Sequence, residues 1–447
     1  MISRWKKKKK NFERNRIRKT NRMLKRNNRR KRNRISSCSE NAYSNRVFSF
    51  LQESDFAKRV RHLTELNRHK IPIEIPVSFS ISENPNESID ILKKIFYFGS
   101  QLSTDEIEID HSKCINLEIA ASTIMDVIVL AITQHHRNNR HKIVIKGKLP
   151  RSDRAKDIFM ASGLPAHMKL FFDTDVKTDK SSMELFKLIN GAYRSGISDS
   201  VSTRLTEYIM KCMRTQGYTL TASGMNSLSV LFGEVLNNCE LHAGDKCCWF
   251  ALGHYQTWVD NGDYGEMQLV IFDFGDTFYE SLKKNSSVET RRKLDYLTEK
   301  HREFFSKKWD PEMLYTLFSF QEGISRLRDS NRVGNVKRGT GTIRLIENFS
   351  KIGKAYDAHK PLMTVTSGAT HIKFNDKYSL RSEGFDDVVF GRNTRKIIAF
   401  NSNNSIFEPP DENNVIKLKE FFPGTVISMD FFFDKKYLQE ITGGNRN

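Results

Sequence analysis

Gly233-Glu234-Val235-Leu236-Asn237-Asn238-Cys239-Glu240-Leu241-His242 decides the fold, because Glu234, Asn238 and His242 recur at every fourth position and share one face of a helix. Leu231, Val235, Leu236, Cys239 and Leu241 would bury the opposite face, which leaves the polar stripe looking onto a cavity or solvent. A carboxylate, a carboxamide and an imidazole in one row can orient a water, hold a magnesium ion through an amide oxygen and contact phosphate. Taken alone, the triplet suits a solvated helix face equally well.

Two later segments shift that balance. Met267 to Gly275 reads as an apolar strand that ends in Asp273-Phe274-Gly275. A carboxylate leaving a buried strand can accept a hydrogen bond from an exocyclic amine such as that of adenine, and the glycine lets a ring approach the backbone. Gly334-Asn335-Val336-Lys337-Arg338-Gly339-Thr340-Gly341-Thr342 then leads into the helical spacing of Ile343, Ile346 and Phe349. Glycines entering a helix leave backbone N–H groups facing outward, which suits phosphate oxygens, and Lys337 or Arg338 adds a charged donor.

In this order the three segments resemble the GHKL, or Bergerat-fold, ATP-binding domain of gyrase, the mismatch-repair MutL proteins, heat-shock chaperones, histidine kinases and anti-sigma-factor kinases. The resemblance implies that Glu234 is the catalytic residue that activates water or an acceptor, that Asn238 reaches magnesium, and that Asp273 binds adenine. Gly275 would shape the adenine pocket, and Gly339, Thr340, Gly341 and Thr342 would close over the phosphates beside Lys337 and Arg338. His242 matches the residue that often ends this box in anti-sigma-type members. One departure stands out: the family continues past Gly275 to a second glycine, whereas here Asp276 and Thr277 follow. A stiffer turn and an added negative charge favour nucleotide binding over fast turnover.

The formal net charge of +20 comes from one end of the chain. Residues 1–34 hold 18 Lys or Arg against one Glu, and the remainder holds 55 basic against 52 acidic side chains. With almost no apolar periodicity, residues 1–40 are expected to be a disordered basic tail, either an arm that engages RNA, DNA or an acidic membrane, or a solubilising segment. No apolar run follows the lysines, so the tail is not a secretory signal. The six cysteines have no C-x-x-C spacing, which points to reduced cytosolic thiols and away from zinc. Ile124 to Ile132 is the longest apolar run and is too short to span a bilayer.

A helical lead-in is expected over 41–74, with short helices from about Asn45 to His69, and Ile71 to Ile81 is expected to be extended. The order strand (Glu106 to Asp110), helix (Leu117 to His135), strand (Lys142 to Ile145), helix (Arg154 to Gly163) describes an α/β unit with parallel pairing. Over 75–175 that unit resembles a STAS domain, the anti-sigma-factor-antagonist fold. The family's phospho-acceptor stretch falls here on Glu118-Ile119-Ala120-Ala121, without a hydroxyl, so the resemblance implies a docking module and no phosphorylation switch. Residues 171–182 suit a linker and helices are expected across 183–216. The expected architecture is α/β (α+β): a STAS-like domain, then a Bergerat-fold two-layer α/β sandwich with a mixed sheet over 183–435, its lid at 276–338. Residues 376–420 read as an insertion of no inferred role.

The leading expectation is a cytoplasmic, magnesium-dependent ATPase that acts as a nucleotide-controlled switch for a protein partner, and a homodimer is compatible with it. Two alternatives stay open: an anti-sigma-type serine/threonine protein kinase, and a nucleic-acid-binding assembly factor working through residues 1–34 with a vestigial nucleotide site.

Overall fold

Alternation of isoleucine with charge builds the first sheet. The computed structural model describes residues 43–60, 69–161, 183–215, 217–257, 264–322, 361–387 and 389–434, together with 343, 345–347 and 349. Helices α1 (43–53) and α2 (Asp55–Val60) lead to β1 (Lys70–Glu74), β2 (Ser78–Phe79), α3 (Pro85–Ser100), β3 (Glu106–Asp110), β4 (Asn116–Leu117), α4 (Ile119–Asn138), β5 (Val144–Lys148) and α5 (Asp153–Ala161). Strands β1, β3 and β5 pair in parallel, with Lys70 opposite Glu106 and Glu106 opposite Val144. Ile71, Ile73, Ile107 and Ile109 turn to the core. On the other face Lys146 reaches Glu106 at 2.9 Å, and Lys148 reaches Glu108 at 3.0 Å and Asp110 at 2.6 Å. Charges keep that face in water, so the helices take the isoleucine face.

The expected parallel α/β unit is therefore present, with a different start. Its first strand, β1, begins at Lys70, in the segment expected to be extended but ahead of the expected start at residue 75, and Val47, Phe48, Leu51 and Phe56 of α1 and α2 join the same core. In the stretch aligned with the family's phospho-acceptor, Glu118 is the N-cap position of α4, and the hydroxyls one turn on, Ser122 and Thr123, are fully buried. By length and composition α4 could cross a membrane, but 83% of its apolar window is buried within the protein, where it serves as a core helix.

The second half runs β6 (Met183–Ala192), α6 (Ser198–Thr215), α7 (Ala222–His242), β7 (Cys248–Thr257), β8 (Tyr264–Phe274), α8 (Phe278–Asn285), α9 (Val288–Lys300), α10 (Pro311–Phe318), β9 (Leu362–Phe374), β10 (Arg381–Asp387), β11 (Gly391–Ile397) and β12 (Val415–Asp434). Five strands form one sheet in the order β6-β7-β8-β12-β9, while β10 and β11 make a separate hairpin. Among the described residues every pairing in the large sheet is antiparallel. The mixed sheet expected from sequence is thus corrected. A parallel neighbour would need a crossover to the start of β8; instead, Thr425 of β12 lies opposite Asp273, at the end where β8 finishes. The helices expected across 183–216 are likewise a strand, β6, followed by α6.

Period-two alternation gives this sheet two buried faces. Trp249, Ala251, Leu269, Ile271, Met429 and Phe431 pack with α6 and α7, and the helices α9 and α10 join that core. Phe250, Leu252, Val270, Phe272, Phe274 and Val426 pack instead with Ile124, Ile128 and other residues of the amino-terminal unit. The two units expected as successive domains therefore share one core, in which the five-stranded sheet lies between two helical layers. Burying a phenylalanine such as Phe272 contributes about 1.5–3 kcal/mol.

Candidate functional site

Helix α7 forms where the sequence predicts it, capped by Thr221, whose hydroxyl accepts from the Gly224 N–H. Its apolar stripe, Leu228, Leu231, Phe232, Val235 and Leu236, packs on the sheet. Glu234 and Asn238 sit on the partly exposed flank, and among the described residues no hydrogen bond holds either side chain. His242 is the last residue of the helix.

Against the buried side of α7, strand β8 delivers Asp273. Alternation places Leu269, Ile271 and Asp273 on the α7 side of the sheet, so a carboxyl stands where the pattern supplies apolar side chains. Asp273 is 3% exposed. The Cys239 thiol, one residue beyond Asn238, donates to Asp273 Oδ2 at 3.6 Å. Asp273 Oδ1 is buried without a hydrogen-bond partner. Burial pushes this carboxyl up to about 8, opposed by the Cys239 thiol and the Thr425 backbone and reinforced by Asp276. Burial raises the Cys239 and Cys247 thiols well above their ordinary range as well, which makes them inert as nucleophiles.

Two glycines bring backbone against this carboxyl. A Cβ on Gly275 would fall 2.3 Å from the Ala243 carbonyl oxygen and 3.0 Å from Asp273 Oδ1. At Gly424 φ is +131°, and a Cβ there would fall 2.1 Å from the Asp273 carbonyl oxygen. The Asp276 N–H donates to the Ala243 carbonyl at 2.8 Å, which joins the end of α7 to the turn after β8. Asp276 does carry negative charge here, but Lys284 meets it at 2.7 Å. Beyond it, Thr277 and Glu280 close a capping box on α8. The Phe278 N–H donates to Ser367 Oγ at 3.0 Å, and Ser367 Oγ meets Thr425 Oγ1 at 3.0 Å. Asp273, Thr425 and the start of α8 are thereby linked.

Of the three segments singled out by sequence, two come into contact: α7, through Cys239 and the Ala243 that follows it, and the Asp273-Phe274-Gly275 turn. The third, with Lys337, Arg338, Gly339, Thr340, Gly341 and Thr342, lies outside the described residues, as do the basic tail 1–40 and the proposed linker 171–182. Sequence reasoning did not single out Cys239 as a partner of Asp273, because a cysteine among apolar helix positions reads as core. It also passed over Glu240, which accepts from the backbone N–H groups of Gly196 at 3.2 Å and Ile197 at 3.3 Å and from the Ser195 hydroxyl. That carboxylate ties α7 to the turn that starts α6. Among the described residues no group of three or more His, Cys, Asp or Glu side chains is placed to hold a metal ion.

No family model, curated protein or solved structure matches this chain.

The arrangement itself limits the chemistry. An orphaned, enclosed carboxyl oxygen beside a glycine that tolerates no side chain suits one hydrogen-bond donor presented by a flat ring. The amide of Asn238 suits a magnesium ion whose remaining ligands are waters and phosphate oxygens. Glu234, four residues earlier on the same flank, lies about 6 Å from Asn238 along the axis, within reach of a water beside such an ion.

Proposed function

We propose that this chain binds ATP through a GHKL-type site built on α7 and the end of β8, and that it is a magnesium-dependent ATPase serving as a nucleotide-controlled switch for a protein partner in the cytoplasm. The supporting observation is Asp273 Oδ1, a buried acceptor with no partner at the end of a strand whose next turn abuts α7. A buried polar atom left unpaired costs about 1–3 kcal/mol, and the adenine amine would remove that cost. When bound, magnesium would supply charge neutralisation at the phosphates. Asn238 would hold it through its amide oxygen, and Glu234 would orient the attacking water.

Access to Asp273 requires movement, because the carboxyl is enclosed. Thr425, Ser367 and the first backbone N–H of α8 form a continuous hydrogen-bonded path from the site to the helices α8, α9 and α10. A base settling on Asp273 would press on that path and bias the position of α8 against the sheet. This gives the switch a physical route.

Calorimetry with ATP and magnesium on the full chain tests the proposal. Saturable binding is expected in the wild type, with at least a tenfold loss in Asp273→Ala. Glu234→Ala should retain binding and abolish phosphate release. The absence of ATP binding in the wild type, or an unchanged affinity in Asp273→Ala, would overturn it.

A further inference from the structure

Only one of the two Asp273 oxygens is free to read a ligand. Oδ2 accepts from the Cys239 thiol at 3.6 Å, whereas Oδ1 is buried and unpartnered. The two purines differ in what they can offer such a group. Adenine presents a single exocyclic amine, flanked by ring nitrogens that only accept. Guanine presents N1–H and its amine side by side, and that pair binds best when both oxygens of a carboxylate are open, as in any two-point carboxylate contact.

We infer that Cys239 is a specificity-determining residue: by occupying Asp273 Oδ2 it leaves a one-point acceptor that favours adenine and denies guanine its two-point contact. This rests on the nucleotide site proposed above. Position 239 is suited to the role because it follows Asn238 on α7, so the helix that would approach the phosphates also fixes the carboxyl that would approach the base. Cys239 itself is buried in the apolar core between α7 and the sheet, which holds its thiol in one place. Neither Gly275 nor Gly424 has a side chain that could donate to Oδ2 in its stead.

Removing the donor while keeping the carboxyl is the direct test. ATP and GTP affinities, each with magnesium, would be measured by calorimetry on the full chain for the wild type, Cys239→Ala, Cys239→Val, Cys239→Ser and Asp273→Ala. The preference for ATP over GTP should fall about tenfold in Cys239→Ala and Cys239→Val, the size of one buried hydrogen bond. Most of the change should come from tighter GTP binding. Cys239→Ser keeps a donor and should keep the preference; the valine variant fills the site should alanine impair folding. An unmoved ratio in both apolar variants, or a serine variant that behaves like alanine, would overturn this inference while Asp273-dependent ATP binding stands. A wild type that binds neither nucleotide, or binds ATP equally well in Asp273→Ala, would overturn the site itself.

Discussion

Two buried carboxyls face opposite layers of this protein, and their surroundings differ in one respect that separates structure from chemistry. Glu118, at the N-cap of α4, accepts from Ser80 Oγ at 2.7 Å, Ser82 N–H at 2.9 Å, Ser82 Oγ at 2.6 Å and Ser428 Oγ at 2.6 Å. Ser428 belongs to β12 of the large sheet, so Glu118 joins the amino-terminal unit to the antiparallel one. Asp273 has the Cys239 thiol as its side-chain donor, the Thr425 backbone nearby, and an oxygen, Oδ1, without a hydrogen-bond partner. A saturated carboxylate is an architectural joint, and one left half-satisfied in a closed space is available for a ligand.

The largest expected effect sharpens this contrast. Glu118→Ala should destabilise the fold by about 3–5 kcal/mol, because three serine hydroxyls and a backbone N–H lose their acceptor inside the core. Denaturant unfolding of that variant beside Asp273→Asn measures it. A loss in Asp273→Asn as large as that in Glu118→Ala would break the distinction between joint and binding group.

A second effect, smaller and dependent on pH, comes from Asp273 itself. Its folded value of about 8 lies above the ordinary 3.8, so between those limits the folded chain holds a proton that the unfolded chain has released. Stability contributed here is complete below about pH 4 and declines as pH rises toward 8. Asp273→Asn should match the wild type near pH 4 and become increasingly more stable than it as pH rises toward 8. The opposite layer supplies the opposite slope. His254 and His371 are held down to about 4 and about 3 by burial, so the unfolded chain binds protons first as pH falls from 6.5, and stability declines with it. Asp430, also buried and raised, adds a slope of the same sign as Asp273, so differences between variants, measured by unfolding across pH 4–9, are the proper readout. Parallel curves for wild type and Asp273→Asn would contradict the enclosed, proton-holding state.

The same contrast shows what the sequence could reveal. Helix α7, the strand ending at Asp273 and the alternating Glu106 to Asp110 segment were legible because each follows a single period. Strand β6 was not. Its pairing with β7 slips between Phe186 and Ile189, and the bulge puts Leu185 and Leu188 on one face and Phe186 and Ile189 on the other. A spacing of three between same-face residues imitates a helix, so periodicity alone misreads it. The antiparallel return of β12 and the docking of α3 and α4 on the far side of the sheet depend on contacts between Ser82 and Thr364 or between Glu118 and Ser428, across some three hundred positions of chain. No local pattern encodes such pairs. At the site, the polar stripe and Asp273 were readable from residue type, whereas the thiol contact that divides the two carboxyl oxygens follows only from how α7 seats on β8.

The smallest effect concerns the ion pairs that flank each layer. Arg154 meets Glu266 at 2.5 Å against the sheet face that carries Gln268 and Asp430, with the glutamate side chain only 10% exposed. Lys284 meets Asp276 at 2.7 Å beside the Asp273 turn, and that pair is far more open. Lys284→Ala should therefore cost stability no more than about 0.5 kcal/mol, as exposed pairs do. It should weaken ATP binding about twofold to threefold at low salt, because Asp276 then stands as an uncompensated negative charge near the nucleotide, and the difference should fade as ionic strength rises. Titrations at two salt concentrations decide it. A stability loss without a salt-dependent change in affinity would make Lys284–Asp276 a structural joint like Glu118, and would move the nucleotide's charge away from this turn.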